Sequence, residues 1–280
     1  MKTLFFSLLF MTVYTMNAGA TGTPGSALTA DTFLNIAYGN NALQRMDIYL
    51  PANRSSAETP SLILLHGGGW NSGSRHSLSS YIDSFKRRMP GYAIFNIDYR
   101  LVSANTHFTD QATDIKSAVD FIAAHSKEYN INPGKVVLVG ISAGAHLALL
   151  QSYKYSAPNI AAVVDFFGPA DLISMYNNPW NAMIPHLMES AIGGTPQTND
   201  DYRQLSPVTF INADTPPTLI FHGKQDYVVD VSQSQRLQTR LQQAGIKHKL
   251  VIYPNAGHGW FGNTLSDSFD KMKLFLDDVM

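Results

Sequence analysis

The stretch Val136-Val137-Leu138-Val139-Gly140-Ile141-Ser142-Ala143-Gly144-Ala145-His146-Leu147-Ala148-Leu149-Leu150 decides the fold. It reads as an apolar strand, a sharp turn carrying one serine, and the start of a helix. A serine hydroxyl in an ordinary loop is a poor nucleophile. On a strained strand-to-helix turn it projects clear of the backbone, with a helix N-terminus behind it. Gly140 and Gly144 stand two residues before and two after Ser142, where a larger side chain would crowd that turn. Gly-x-Ser-x-Gly alone recurs by chance in a chain of this length. Its seat between a β-branched run and a helix start makes Ser142 a candidate nucleophile.

Upstream, Ser61-Leu62-Ile63-Leu64-Leu65 leads into His66-Gly67-Gly68-Gly69-Trp70. Consecutive glycines leave backbone N–H groups unshielded, so they can face a developing oxyanion without a Cβ in the way. Gly68 and Gly69 are the candidate donors, with the N–H of Trp70 as a substitute; a flexible glycine turn is the alternative reading. By analogy with nucleophile-elbow enzymes, the N–H of Ala143 completes the hole. His66 is expected to brace the glycine loop. His146, one helical turn beyond Ser142, is expected to be a packed helix residue.

A nucleophilic serine needs a base, and the base needs an orienter. His258 lies in Pro254-Asn255-Ala256-Gly257-His258-Gly259-Trp260, after the strand-like Lys249-Leu250-Val251-Ile252-Tyr253. Asp226 follows Thr218-Leu219-Ile220-Phe221-His222-Gly223-Lys224-Gln225, with Asp230 as a competitor. Both sit on loops at the C-terminal ends of strands, where open α/β sheets present ligands. The chain order is serine, aspartate, histidine.

These segments, with Asp98-Tyr99-Arg100-Leu101, Ile192-Gly193-Gly194-Thr195-Pro196 and Ser206-Pro207, resemble the α/β-hydrolase superfamily. Within it the chain is similar to bacterial carboxylesterases of the hormone-sensitive-lipase-like group and to the carbohydrate acyl esterases that carry His-Gly-Gly-Gly-Trp. The resemblance spans nearly everything after residue 40. It implies an α/β-hydrolase fold, with a mostly parallel central sheet flanked by helices and a small lid insertion. It also implies Ser142 as nucleophile, His258 as base and Asp226 as orienting acid, in a hydrolase that needs no cofactor. Two departures bear on substrate preference: Val102-Ser103-Ala104-Asn105-Thr106-His107-Phe108 replaces a proline-rich segment, and Ala145 replaces a glycine.

The first twenty residues read as a secretory signal peptide. Lys2 is a basic start, Leu4 to Met16 is largely apolar, and Ala18-Gly19-Ala20 supplies small residues for cleavage after Ala20. The apolar run is shorter than the ~20 residues a spanning helix needs, so export to the periplasm or medium is expected, without stable membrane insertion. Residues 21–280 then form one α/β domain. A net charge of −1 gives no argument for nucleic acid or an anionic membrane surface as a partner, and neither is expected; the absence of cysteine removes disulfides and thiolate chemistry. No histidine pair has zinc-binding spacing beside a carboxylate, so no metal is expected.

Residues 21–44 are expected to pack loosely, and Met46–Leu50 to form an edge strand ending at Pro51. Short apolar runs near 61–65, 92–97, 136–139, 160–167, 217–222 and 247–253 read as parallel strands buried on both faces. Ala112, Ile115, Val119 and Ile122 form one helical stripe, and Leu265, Phe269, Met272, Leu276 and Val279 another. Residues 171–210 break the alternation and are read as a lid, with Trp180, Met183 and Met188 facing the pocket; Trp70 is a further candidate substrate contact. The function expected is hydrolysis of short-chain or carbohydrate-linked acyl esters. An arylformamidase-type amide hydrolase and a non-catalytic binding protein are the alternatives.

Overall fold

The computed structural model describes residues 28–155, 160–196 and 198–280; the signal-peptide reading falls outside them. Among the described residues, eight strands form one sheet: β1 (Asp31–Ala37), β2 (Arg45–Leu50), β3 (Ser61–Leu65), β4 (Ala93–Ile97), β5 (Val136–Ile141), β6 (Ile160–Phe166), β7 (Thr218–Gly223) and β8 (His248–Tyr253). Their spatial order is β1-β2-β4-β3-β5-β6-β7-β8. The pairs β1–β2 and β2–β4 are antiparallel and the remaining pairs parallel.

Nine α-helices accompany the sheet among these residues: α1 (Ile82–Arg88), α2 (Phe108–Ala124), α3 (Ser126–Tyr129), α4 (Ala143–Lys154), α5 (Leu172–Asn177), α6 (Met183–Ile192), α7 (Asn199–Arg203), α8 (Ser232–Gln243) and α9 (Gly262–Val279). Strands β3, β4 and β7 are buried along their whole length and β5 in all but Ile141, because helices cover both faces of the sheet. The period-two alternation of side chains divides them between two cores. Ile63, Leu65 and Leu138 pack with α2, α4 and α8. Leu62, Leu64, Val137 and Val139 pack with α1 and α9.

The ladder sets the parallel strands level at one end. Leu65 pairs with Gly140, Ile141 with Phe166, Phe166 with Phe221, and Gly223 with Tyr253. The loops after β3, β5, β6, β7 and β8 therefore leave one edge of the sheet together.

Two readings of the N-terminal part are corrected. Residues 31–37 form β1, which covers β2, so Met46–Leu50 is interior and the edge lies one strand further out. A bulge between Phe33 and Ile36, with Asn35 at φ 58°, breaks the alternation that would have marked β1. The segment 171–210 folds as short helices, and Ile184, Met188, Ala191, Tyr202 and Leu205 bury themselves in the α2/α4 core, so Met188 does not face the pocket as expected.

Behind the glycine loop, the buried Arg75 guanidinium pairs with Asp47 and Asp98, and its backbone N–H donates to Asp98 at 2.6 Å. This network joins β2, the end of β4 and the short 3₁₀ helix Arg75–Tyr81. Truncating one member of a buried ion pair strands the other charges, at a cost of ~3–5 kcal/mol. Arg75→Met is expected to lose that much stability in urea unfolding; a loss below 1 kcal/mol would mean the network is not a structural clamp.

Candidate active site

The serine turn is shaped by two close approaches. A Cβ on Gly144 would overlap the carbonyl oxygens of Leu65 and His66, and one on Gly140 would overlap the first turn of α4 at Ala145. With glycine at both places α4 starts directly against the end of β3. Ser142 is then left at φ 55°, ψ −118°, a conformation that L residues rarely adopt. Its N–H donates to Phe166 O at 2.8 Å and its carbonyl accepts from His146 N at 3.1 Å.

The Ser142 hydroxyl donates to His258 Nε2 at 2.9 Å. On the other side of the ring, Nδ1–H donates to Asp226 Oδ2 at 2.7 Å, so the carboxylate selects the tautomer that leaves Nε2 free to accept. The Asp226 side chain is fully buried, whereas the His258 ring retains 21% exposure toward the cavity. Asp226 Oδ1 accepts from the backbone N–H groups of Val228 and Val229 at 2.8 and 2.9 Å. Burial alone would push the Asp226 carboxyl up. Contacts with His222 and His258 and the Val229 N–H oppose it and hold the group well below the usual carboxylate range. Geometrically the His222 contact is the weaker one: its Nε2–H donates to Val229 O at 2.9 Å and lies 3.4 Å from Asp226 Oδ2. Asp230 instead accepts from Ser232 N.

Across from the imidazole lies the glycine loop. Gly68 and Gly69 have φ of 124° and 57°, and Trp70 has 65°. Among the described residues, the N–H groups of Gly68 and Gly69 donate to no protein acceptor. Ala143 opens α4 and its N–H has no acceptor within the helix. The site of a reacting carbonyl is thus bordered by a hydroxyl, an imidazole and free amides. Gly67 packs against the serine turn, and the His66 Nδ1–H braces the loop by donating to Gly67 O at 2.7 Å. The His66 ring stacks on Tyr99 at 4.3 Å.

Of the three predicted substrate contacts, Trp70 borders the cavity and Trp180 and Met183 do not. The Trp70 indole is buried, edge-on to Phe108, and donates through Nε1 to His146 Nδ1 at 3.1 Å; only the margin of this residue borders the cavity. Trp180 is half-buried against the α2/α4 core and Met183 is 71% exposed; neither lines the cavity. On α6 it is Leu187, one turn beyond Met183, that reaches it. Phe167, at φ 47°, was also missed; its ring lies 4.6 Å from that of His258. The Phe166-Phe167-Gly168-Pro169 sequence at the end of β6 is the signal that could have found it.

His146 links two parts of this architecture. It accepts from the Trp70 indole and donates through Nε2 to Leu205 O at 2.8 Å, tying the glycine loop to the segment after α7. Burial outweighs the Leu205 carbonyl and lowers its pKa from 6.5 to about 4. Between those values the unfolded chain binds a proton that the folded protein refuses. Stability from this site is therefore complete above pH 6.5 and is lost as pH falls toward 4. The stability difference between the protein and His146→Phe is expected to narrow by roughly 3 kcal/mol over that interval in urea unfolding. A difference independent of pH would contradict the neutral, buried imidazole.

Comparison with known proteins places this geometry. The chain is 29% identical to a probable carboxylic ester hydrolase, LipM, of Mycobacterium tuberculosis, over 78% of this chain and 53% of that protein. It thus spans about half the length of that relative. Among solved structures, a carbohydrate esterase from gut microbiota superposes with a TM-score of 0.74 at 24% identity, covering 89% of this chain and 96% of the other. That likeness is one of fold. A thermophilic esterase of Thermogutta terrifontis, solved with propionate bound, gives 0.69 at 25% identity, covering 89% and 93%. The BD-FAE family profile matches residues 46–241, from β2 into α8, and so takes in the glycine loop, Ser142 and Asp226. A match over most of the chain, on this fold, makes the protein a member of the BD-FAE family.

Proposed function

We propose that the protein is an exported serine carboxylic ester hydrolase that works by two-step acyl transfer at Ser142, on short-chain or carbohydrate-linked acyl esters. The observation that carries the reading is the continuous hydrogen-bond chain Asp226–His258–Ser142, facing unpaired amides across a cavity. The names of the relatives, carboxylic ester hydrolase and esterase, support the same chemistry.

His258 Nε2 takes the serine proton as Oγ attacks the ester carbonyl, and the buried Asp226 carboxylate stabilises the imidazolium that forms. Negative charge gathers on the carbonyl oxygen, where the N–H groups of Gly68, Gly69 and Ala143 receive it. One such donor is worth ~3–4 kcal/mol in the transition state. The imidazolium then returns its proton to the leaving alcohol. Water, deprotonated by His258, attacks the acyl-enzyme and releases the acid. Helix α6 roofs part of the site through Leu187, the remaining form of the lid reading. Export rests on the N-terminal pattern of residues 1–20.

Ser142→Ala is expected to lower kcat for p-nitrophenyl butyrate by at least a thousandfold with the fold intact by circular dichroism. Turnover within tenfold of the parent would refute the nucleophile. Protein secreted by its native host is expected to begin at Thr21 on N-terminal sequencing; a sequence starting earlier contradicts cleavage after Ala20.

A further inference from the structure

The cavity at Ser142 is larger than a two-carbon acyl group requires. Its volume is about 530 Å³, within the range that accepts drug-sized ligands. From the serine it runs down the α1/α9 face of the sheet. Its far end is lined by Leu64, Leu78, Phe85, Val139 and Phe269. Leu64 and Val139 are ladder partners on β3 and β5, so together they form a floor. Leu62 and Val137, the next pair on that face, do not line it. Phe85 and Phe269 close the end edge-to-face at 4.7 Å.

The depth follows from strand geometry. Val139 precedes Ser142 by three residues, so at ~3.3 Å per residue the floor lies ~10 Å below the serine, about the reach of an eight-carbon chain. The chemistry of the walls narrows the occupant. Among the described residues, no Lys, Arg, Asp or Glu lines the cavity, and Ser77 and Tyr81 are the only hydroxyl-bearing residues there besides Ser142, so a charged or heavily hydroxylated group would find few partners. An apolar chain instead recovers dispersion contacts that an open apolar cleft forgoes.

Turnover decides which half of the ester enters. After acylation the alcohol must depart and water must reach the carbonyl, while the acyl group stays on Ser142. The buried arm therefore suits the acyl group. The mouth, flanked by Leu187 and by Val228 and Phe261, which are 53% and 80% exposed, suits the alcohol and the incoming water.

We infer that this arm is the acyl subsite, and that it prefers esters of an extended apolar acyl group of about six to ten carbons over acetyl esters. The inference rests on the reading of Ser142 as nucleophile, specifies the acyl group that it accepts, and moves the preferred length from the short chains proposed above to medium ones.

The test is kcat/KM for p-nitrophenyl acetate, butyrate, hexanoate and octanoate, below their aggregation concentrations, beside a series of n-alkyl acetates from ethyl to octyl. Each buried methylene is worth up to about fourfold, so octanoate is expected to exceed acetate by thirtyfold or more, with the alkyl acetate series varying less than fivefold. Leu78→Trp, which fills the arm, is expected to lower the octanoate-to-acetate ratio at least tenfold; if that variant fails to fold, the parent's two series decide alone. A flat or falling acyl series overturns the inference, as does chain-length dependence confined to the alkyl acetates. If acetate is hydrolysed and Ser142→Ala abolishes it, such a result removes the acyl subsite only. If no ester is hydrolysed, it is the proposed function that fails.

Discussion

Everything at this site depends on how closely the first turn of α4 approaches the end of β3. The approach is possible because Gly144 has no Cβ to meet the carbonyls of Leu65 and His66, and Gly140 none to meet Ala145. Once the helix is seated there, Ser142 has no relaxed conformation available. It takes φ 55°, ψ −118°, at a cost of order 1–3 kcal/mol for a non-glycine residue. The strain directs the hydroxyl away from the backbone toward His258 and leaves the Ala143 amide at the same opening as the glycine loop.

The surrounding hydrogen bonds keep that strain from relaxing. Ser142 N donates to Phe166 O and Phe167 N to Phe221 O, both at 2.8 Å, so the ladder continues past the ends of β5 and β6. The partners arrive by the same register. β7 and β8 end level at Gly223 and Tyr253, which brings the loops bearing Asp226 and His258 side by side. Asp226 is buried without being isolated, since two backbone amides and the His258 N–H satisfy its oxygens. A carboxylate so supported stays ionised and acts as a fixed negative charge behind the ring. A second buried carboxyl, Asp165, lacks such support: burial raises its pKa to about 7, and only the Gly168 N–H holds one oxygen. Burial acts upward on both acids; at Asp226 the hydrogen bonds and the imidazole outweigh it, and at Asp165 they do not.

Much of this was legible in the residues. The strand–serine–helix pattern at 136–150, the triple glycine after 61–65 and the loop positions of Asp226 and His258 carry the fold class and name the groups that meet. What was lost has physical causes. β1 was illegible because its bulge at Asn35 turns a two-residue period into three and Leu34 faces solvent. β8 begins His248-Lys249 and is half-exposed at the sheet edge, unlike the strands it was grouped with. In α6 the apolar residues cover more than one face. Met188 enters the core, Leu187 the cavity and Met183 the solvent, and apolar character alone does not tell these apart. Trp70 borders the cavity as read, but the hydrogen bond of its indole to the buried His146 imidazole could not be seen in the sequence.

The central claim is that the turn at Ser142 and the Asp226–His258 pair together make one hydroxyl nucleophilic. Exposure to a fluorophosphonate followed by peptide mass mapping addresses it directly. The account predicts a single stoichiometric adduct on Ser142, formed at least a hundredfold more slowly in His258→Ala. Labelling at another residue, or equal labelling rates with and without the imidazole, would contradict it.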